Sequence, residues 1–292
     1  MQTTSENLMS ILVTGANKGI GYGIVKSLLE RAHLSNIYRY KIILTSRDEQ
    51  RGLETIENLK VLFGNSDYTQ KNLIFHKLDI SSKESIDNCV TWLKSDIGPL
   101  DVLVNNAGVA FKGSEFNTNV FDITFGTNVF GTIDFTEKIL ENNLIKRLGK
   151  IIIVASSLGN IHTLSAERQK DFRREKMQVS ELVDLANKYR KSIETASNVQ
   201  EGWGKNCYAV SKMVINKYTQ LLSQRESVLT NAIQVYSCCP GWVKTDMGGP
   251  KAFRELDEGV VCPVYLVELE HKLNMELQGK FFYDFKVKDI GL

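Results

Sequence analysis

Ile11-Leu12-Val13-Thr14-Gly15-Ala16-Asn17-Lys18-Gly19-Ile20-Gly21 is the stretch on which the fold reading turns. Three apolar β-formers run into a turn with glycines at 15, 19 and 21, and Ile24, Val25, Leu28 and Leu29 then recur at helical spacing. Outward from this strand, turn and helix, short Ile- and Val-rich runs alternate with longer amphipathic segments. The runs are Ile42-Ile43-Leu44, Leu73-Ile74-Phe75, Val102-Leu103-Val104, Ile151-Ile152-Ile153-Val154, Ile233-Gln234-Val235 and Phe281-Phe282. Runs apolar on both faces and separated by helices predict a parallel sheet covered on both sides. The expected architecture is therefore α/β: one doubly wound, Rossmann-type domain spanning 1–292, with about seven strands and helices on both faces. Residues 8–110 form the first half and 111–292 the second. Residues 158–205 stand apart, dense in charge but with Leu182, Leu185, Ala186, Tyr189 and Ile193 at helical spacing, and predict a helical insertion. The prolines, Pro99, Pro240, Pro250 and Pro263, are expected in loops or at helix starts.

Composition narrows the function. A net charge of +2, with cations dispersed among acids, gives no basic stripe for nucleic acid. No run of about 18 apolar residues suggests a membrane span, and Met1-Gln2-Thr3-Thr4-Ser5-Glu6-Asn7 lacks the basic and apolar regions of a leader. Cys89, Cys207, Cys238, Cys239 and Cys262 are odd in number and lack metal-ligand spacing, so free thiols, no metal and a cytoplasmic protein are expected.

Glycines let a backbone approach a pyrophosphate, whose charge is met by amides at the following helix N-terminus. Here the spacing is G-x-x-x-G-x-G, and its place between strand and helix makes it a dinucleotide signal. After the second strand come Thr45-Ser46-Arg47-Asp48: Ser46 stands where an acid would hold an adenosine 2′-hydroxyl. A serine followed by arginine accepts a 2′-phosphate instead, with Lys18 and Arg51 adding positive potential, so NADP(H) is favoured over NAD. Leu78-Asp79-Ile80 is placed to meet the adenine edge. Asn105-Asn106-Ala107-Gly108 ends the fourth strand, and Asn128 lies in a later apolar helical stretch; such buried asparagines form a structural network, a proton path, or both.

Tyr-x-x-x-Lys occurs twice, at Tyr22/Lys26 and Tyr208/Lys212. Tyr22 follows the glycine turn directly and reads as structural. Tyr208 follows an apolar strand ending in Ser156 and opens a helical stretch, on which residues four apart share a face and Lys212 can lie beside the Tyr208 hydroxyl. Ser156 is placed to hydrogen-bond a carbonyl oxygen as negative charge gathers on it. Trp203, Trp242 and Met247 offer apolar surface suited to aromatic ketones or quinones, although Trp203 reads equally well as packing. Cys238 and Cys239 read as small buried hydrophobes.

Taken together, Thr14 to Gly21, Asn105-Asn106-Ala107-Gly108, Asn128, Ser156 and Tyr208-x-x-x-Lys212 resemble the short-chain dehydrogenase/reductase family. Glu201-Gly202-Trp203, Cys238-Cys239-Pro240-Gly241-Trp242-Val243-Lys244-Thr245-Asp246-Met247 and the long insertion before Tyr208 are similar to its branch of monomeric carbonyl reductases. Two departures are the adjacent serines Ser156 and Ser157, of which Ser156, three residues before Gly159, fits the family position, and Ile153 where the family often has asparagine. The resemblance implies NADPH-dependent reduction of aldehydes, ketones or quinones, with Tyr208 as general acid. It implies that Lys212 holds the nicotinamide ribose and lowers the tyrosine pKa, and that Asn128 holds a water. It implies cofactor contacts from Gly15, Asn17, Lys18, Gly19, Ile20, Gly21, Arg47, Arg51, Asp79, Ile80, Asn106, Ala107, Gly108, Tyr208, Lys212, Pro240, Gly241, Val243 and Thr245. The substrate would meet Ser156, Tyr208, Trp242 and Met247. It also implies a monomer, the insertion covering the face through which most of the family pairs. The same residues would serve an alcohol dehydrogenase or a reductase dedicated to one biosynthetic ketone. A non-enzymatic NADP sensor is opposed by the intact Ser/Tyr/Lys set, which a sensor does not need.

Overall fold

The computed structural model describes residues 8–34, 39–111, 113 and 115–292. The stretch Met1 to Asn7, read above for a leader, lies outside the described residues. Among those described, no helix is long and apolar enough to cross a membrane.

In the first half, β1 (Met9–Val13), α1 (Gly19–Leu34) and β2 (Tyr40–Ser46) are followed by α2 (Glu49–Leu62), α3 (Asp67–Asn72) and β3 (Leu73–Lys77). Then come α4 (Lys83–Trp92), β4 (Leu100–Asn105), α5 (Thr118–Phe125), a π-helical segment (Gly126–Gly131) and α6 (Thr132–Glu141). The second half holds β5 (Ile145–Val154), α7 (Ala166–Arg173), α8 (Val179–Glu194), α9 (Cys207–Ser223), α10 (Glu226–Thr230) and β6 (Gln234–Cys239). It ends with α11 (Leu256–Glu268), β7 (Phe281–Tyr283) and β8 (Lys286–Val287). The sheet order is β3-β2-β1-β4-β5-β6-β7-β8, parallel from β3 through β7.

Period-two alternation along the strands divides the core. Leu12, Ile43, Leu103, Ile151 and Ile153 face the layer of α4 to α6, α8 and α9. Ile11, Val13, Ile42, Val102, Val104 and Ile152 face α1, α2 and α11. Both faces are buried, which is why the strands read as unbroken apolar runs. Helix starts are fixed locally: Asp48, Ser82, Asn117 and Asn206 each accept a first-turn amide on the side chain.

Three expectations are corrected. The sheet has eight strands, because β8 turns back antiparallel on β7. Its hairpin turn uses Asp284 (φ 49°) and Phe285 (φ 64°), the two left-handed residues that a tight hairpin needs but for which Asn-Gly is the usual signature. Pro263 stands inside α11, buried, rather than in a loop or at a helix start. Ile233 precedes β6 rather than opening it. The insertion is as expected: α7 and α8 fill it, and Leu182, Leu185, Ala186, Tyr189 and Ile193 are all buried.

Close packing makes one helical glycine decisive. A Cβ at Gly131 would lie 2.0 Å from the Ile80 carbonyl oxygen. Helix propensity alone predicts that Gly131→Ala stabilises by about 1 kcal/mol. The backbone clash outweighs it, so the variant should lose roughly 1–3 kcal/mol, and thermal unfolding with a raised Tm would contradict this.

Candidate active site

Strand order reverses between β1 and β4, and ligands of open α/β sheets bind outside the carboxyl ends of the strands at such a point. A cavity of about 450 Å³ lies there, lined from the ends of β1, β2, β4, β5 and β6. Its floor is stitched by one hydroxyl. Thr14 Oγ1 accepts from the main-chain N–H groups of Asn106 and Ala107, both at 2.9 Å, and Asn106 Nδ2 donates back to the Thr14 and Gly15 carbonyls at 2.8 and 3.1 Å. Gly15 adopts φ +62°, and a Cβ on it would stand 3.0 Å from Ala107 Cα, so the turn and the end of β4 touch backbone to backbone. Gly21 is buried beneath this contact rather than lining the cavity. Gly15, Asn17, Lys18, Gly19 and Ile20 line it, where α1 presents its first-turn N–H groups.

The adenine-side corner keeps one arginine and loses another. Arg47 lines the cavity, whereas Arg51 turns to Asp48, with Nε 3.2 Å from Oδ2, and lies outside the lining. Asp48, three residues before Arg51, takes its guanidinium, so Arg51, expected beside a 2′-phosphate, is turned away from the lining in this structure. Ser46 is buried and accepts the Asp48 amide, leaving no carboxylate at the strand end itself. Lys18 reaches across the cavity mouth to Asp246 at 2.8 Å. Asp79 and Ile80 line the wall, with Asp79 oriented by accepting from the Ser81 amide and hydroxyl.

The reacting end is built from β5 and α9. Asn206 caps α9 through the Ala209 amide and thereby fixes the turn bearing Tyr208. Lys212, 6% exposed, donates to the Val154 carbonyl at 2.9 Å, and its Nζ sits 5.6 Å from the Tyr208 ring centroid. Burial pulls the Lys212 ammonium down to about 8. Burial pushes the Tyr208 phenol up to about 12, with Cys239 adding to the rise and a hydrogen bond to Ser156 opposing it. Desolvation is the largest influence on the tyrosine in this state. Ser156 lies at the end of β5 and caps the turn that follows by accepting from the Leu158 amide.

Gly108 completes the wall, with Asn128 buried behind it. Asn128 Oδ1 accepts from Val109 N at 2.8 Å, and its Nδ2 donates to Val109 O and Ser211 Oγ at 3.0 and 3.1 Å. That side-chain amide is committed to protein groups through both its oxygen and its nitrogen. The segment bearing it is π-helical, a form in which the main-chain hydrogen-bond ladder is displaced.

Beyond β6, Pro240, Thr245 and Met247 line the cavity, while Gly241 and Val243 do not. Val243 is buried, and a Cβ on Gly259 of α11 would lie 2.4 Å from it. Trp242 lies outside the lining, donating its Nε1 to the Gly248 carbonyl and meeting Phe253 edge to face. Trp203 is buried against Tyr189 and Phe172 in the insertion, the packing alternative. Cys238 and Cys239 are buried, as read. Sequence reading gave no ligand contact to Thr14, Val109, Ala110, Thr127, Val154, Ala155 and Asp246, all of which line the cavity. Thr14 and Asp246 stood within the quoted motifs, and the others carried no signal of their own.

A dinucleotide fits this donor set: a glycine turn too tight for a Cβ, a helix N-terminus opening on the cavity, and cationic Arg47 and Lys18 at one end. Residues 9–166 match the short chain dehydrogenase family. Carbonyl reductase [NADPH] 1 of Bos taurus is 38% identical over 266 residues, covering 88% of this chain and 90% of that protein. Its counterpart in Rattus norvegicus is 37% identical over 284 residues, covering 95% and 96%. Salutaridine reductase from Papaver somniferum superposes with a TM-score of 0.79 at 26% identity, covering 94% of this chain and 99% of that one. On this evidence the chain belongs to the short-chain dehydrogenase/reductase family, in its carbonyl reductase group.

Proposed function

We propose that the chain reduces aldehydes, ketones or quinones to alcohols with NADPH, Tyr208 donating the proton. One observation carries this reading: Tyr208, Lys212 and the glycine turn line a single cavity, and Ser156, outside that lining, interacts with the tyrosine from the end of the β5 segment. Bound NADPH supplies the hydride. The remaining work belongs to side chains of the protein. Gly15 to Ile20 receive the pyrophosphate, Arg47 and Lys18 the 2′-phosphate, Asp79 and Ile80 the adenine, and Lys212 the nicotinamide ribose. Ser156 holds the carbonyl oxygen as it gathers charge. With its pKa raised, Tyr208 is protonated throughout the neutral range and ready to donate, while Lys212, at about 8, remains mostly cationic there. A reductase dedicated to one biosynthetic ketone is the second reading, favoured by the likeness to salutaridine reductase. Following NADPH absorbance over a panel of quinones, aldehydes and ketones separates the two, since turnover of a single ketone selects the narrower one.

Packing supports a reading of compartment and assembly. All five cysteines are unpaired and buried, which suits the reducing cytoplasm. Fourteen of the 17 residues of α9 are buried, and α8 lies across α9 and α5, tied to α5 by a bidentate Arg190–Asp122 pair at 2.7 and 2.9 Å. We therefore assign a monomer in which the insertion covers the pairing face. Light scattering at micromolar concentration should give a particle near the 33.0 kDa chain mass, and a stable dimer would overturn the covering role.

Removing the Tyr208 hydroxyl should abolish nearly all turnover, by ~10²-fold or more, while NADPH still binds; a Tyr208→Phe enzyme with wild-type kcat would sink the assignment. Tyr22→Phe serves as the control and should stay within a few-fold. Arg47→Ala should weaken NADPH roughly tenfold or more against an unchanged NADH, the scale of one charged hydrogen bond. Equal losses for both cofactors in fluorescence titration would remove Arg47 from the 2′-phosphate site.

A further inference from the structure

The loop that follows β6 supplies Pro240, Thr245 and Met247 to the cavity, and among the described residues its main-chain hydrogen bonds run largely within the loop. Arg254 N donates to the Trp242 carbonyl at 3.1 Å, Lys244 N to the Arg254 carbonyl at 2.9 Å, and Gly249 N to the Thr245 carbonyl at 2.8 Å. Val243 packs beside Gly259 of α11 and Asp246 pairs with Lys18, which hold the loop on the α1 and α11 side. The Arg254 side chain supplies the anchor on the other side, toward the sheet edge. It leaves the loop and ends on Asp284 in the β7–β8 turn, through two bonds of 2.7 Å, with its guanidinium 5.0 Å from the Tyr283 ring centroid. Its Nη1 also donates to the Pro240 carbonyl at 3.4 Å, the main chain of a cavity-lining residue.

Two further features are built around this side chain. Gly241, at φ +85°, lets the chain pass so close that a Cβ there would stand 2.7 Å from Arg254 Cδ and Nε. Asp284 is presented from a left-handed turn position that the otherwise marginal two-residue strand β8 closes. Hydrogen bonding to Arg254 holds the Asp284 carboxyl below its ordinary range, so the pair is ionised at neutral pH. Arg254 itself lies outside the cavity lining.

We infer that Arg254, clasped by Asp284, is a positioning residue that sets the post-β6 loop at the height where Pro240, Thr245 and Met247 form the cavity wall. The inference rests on the reading of that cavity as the NADPH and carbonyl site. A bidentate fork between a shielded guanidinium and a half-exposed carboxylate fixes geometry well but contributes little to global stability. Losing it should therefore disturb binding more than folding.

Asp284→Asn keeps the shape and removes the charge. In that variant KM for NADPH and for the carbonyl substrate should rise about 5–10-fold with kcat changed less than about threefold, a loss of shared ground-state and transition-state binding. Arg254→Lys, which keeps a charge but has no fork, should behave the same way, and Arg254→Ala with Asp284→Ala should be non-additive. Tm should remain near wild type. Trypsin cleavage of the folded protein at Lys244 and Lys251 should quicken in each variant. Wild-type KM values in Asp284→Asn, or a fallen Tm with unchanged KM, would overturn the positioning role. If the wild-type protein neither binds nor oxidises NADPH, the functional reading fails. The clasp is then decided by trypsin alone, and unchanged cleavage overturns it.

Discussion

The Thr14 hydroxyl receives two main-chain amides from the end of β4, and the geometry of the site depends on that double acceptance. A parallel sheet brings strand ends near one another but leaves the turns beyond them unspecified. Here the turn after β1 is tied to β4 by Thr14 and Asn106, and to β2 by Ala16 N donating to the Thr45 carbonyl at 2.8 Å. Removing the hydroxyl would leave two inward-facing N–H groups without their acceptor, a cost well above that of an exposed hydrogen bond. The glycine turn is thus a rigid rim whose N–H groups are aimed before any ligand arrives.

The same economy governs the other side of the cavity. Val154 ends β5, and its carbonyl holds Lys212, while the next two residues bring Ser156 to the tyrosine. Asn128 fastens the chain after Gly108 by pairing with both polar groups of Val109, and also donates to Ser211 one residue before the lysine. A Cβ at Gly108 would come 3.2 Å from Asn128 Oδ1 and 3.8 Å from Lys212 Nζ, so the three elements converge too tightly for a larger residue. Lys212 and Asn128 are each held by main-chain groups of a neighbouring element, which converts sheet register into side-chain position.

How much of this was legible in the sequence follows from range. Strands β1 to β6 were readable because burial on both faces writes a continuous apolar run, and α8 because Leu182, Leu185 and Tyr189 mark one face. The motif residues Gly15, Arg47, Asn106, Tyr208 and Lys212 all reached the cavity. Strand β8 was not legible, since Asp284-Phe285 lacks the usual hairpin signature and is held by Arg254, thirty residues away in sequence. The local partner of Arg51, Asp48, was not legible, because a cation count cannot see an ion pair. Trp203 stayed open between ligand surface and packing, because an aromatic beside a motif looks the same whether it faces a ligand or a core.

Perturbed ionisation alone would not have located the site. Burial draws Lys150, Lys212 and Lys217 to about 8, and each ammonium ends on a main-chain carbonyl. Lys150 meets the Val267 and Leu269 carbonyls at the end of α11, and Lys217 meets Arg174 between α7 and α8. Those two close element termini, as a cation at a helix or loop end does in many structural settings. Lys212 shares their burial and their pKa but lines the cavity beside a tyrosine one helical turn away. Geometry, not the size of the shift, separates the lysine placed to serve chemistry from the two that hold the fold.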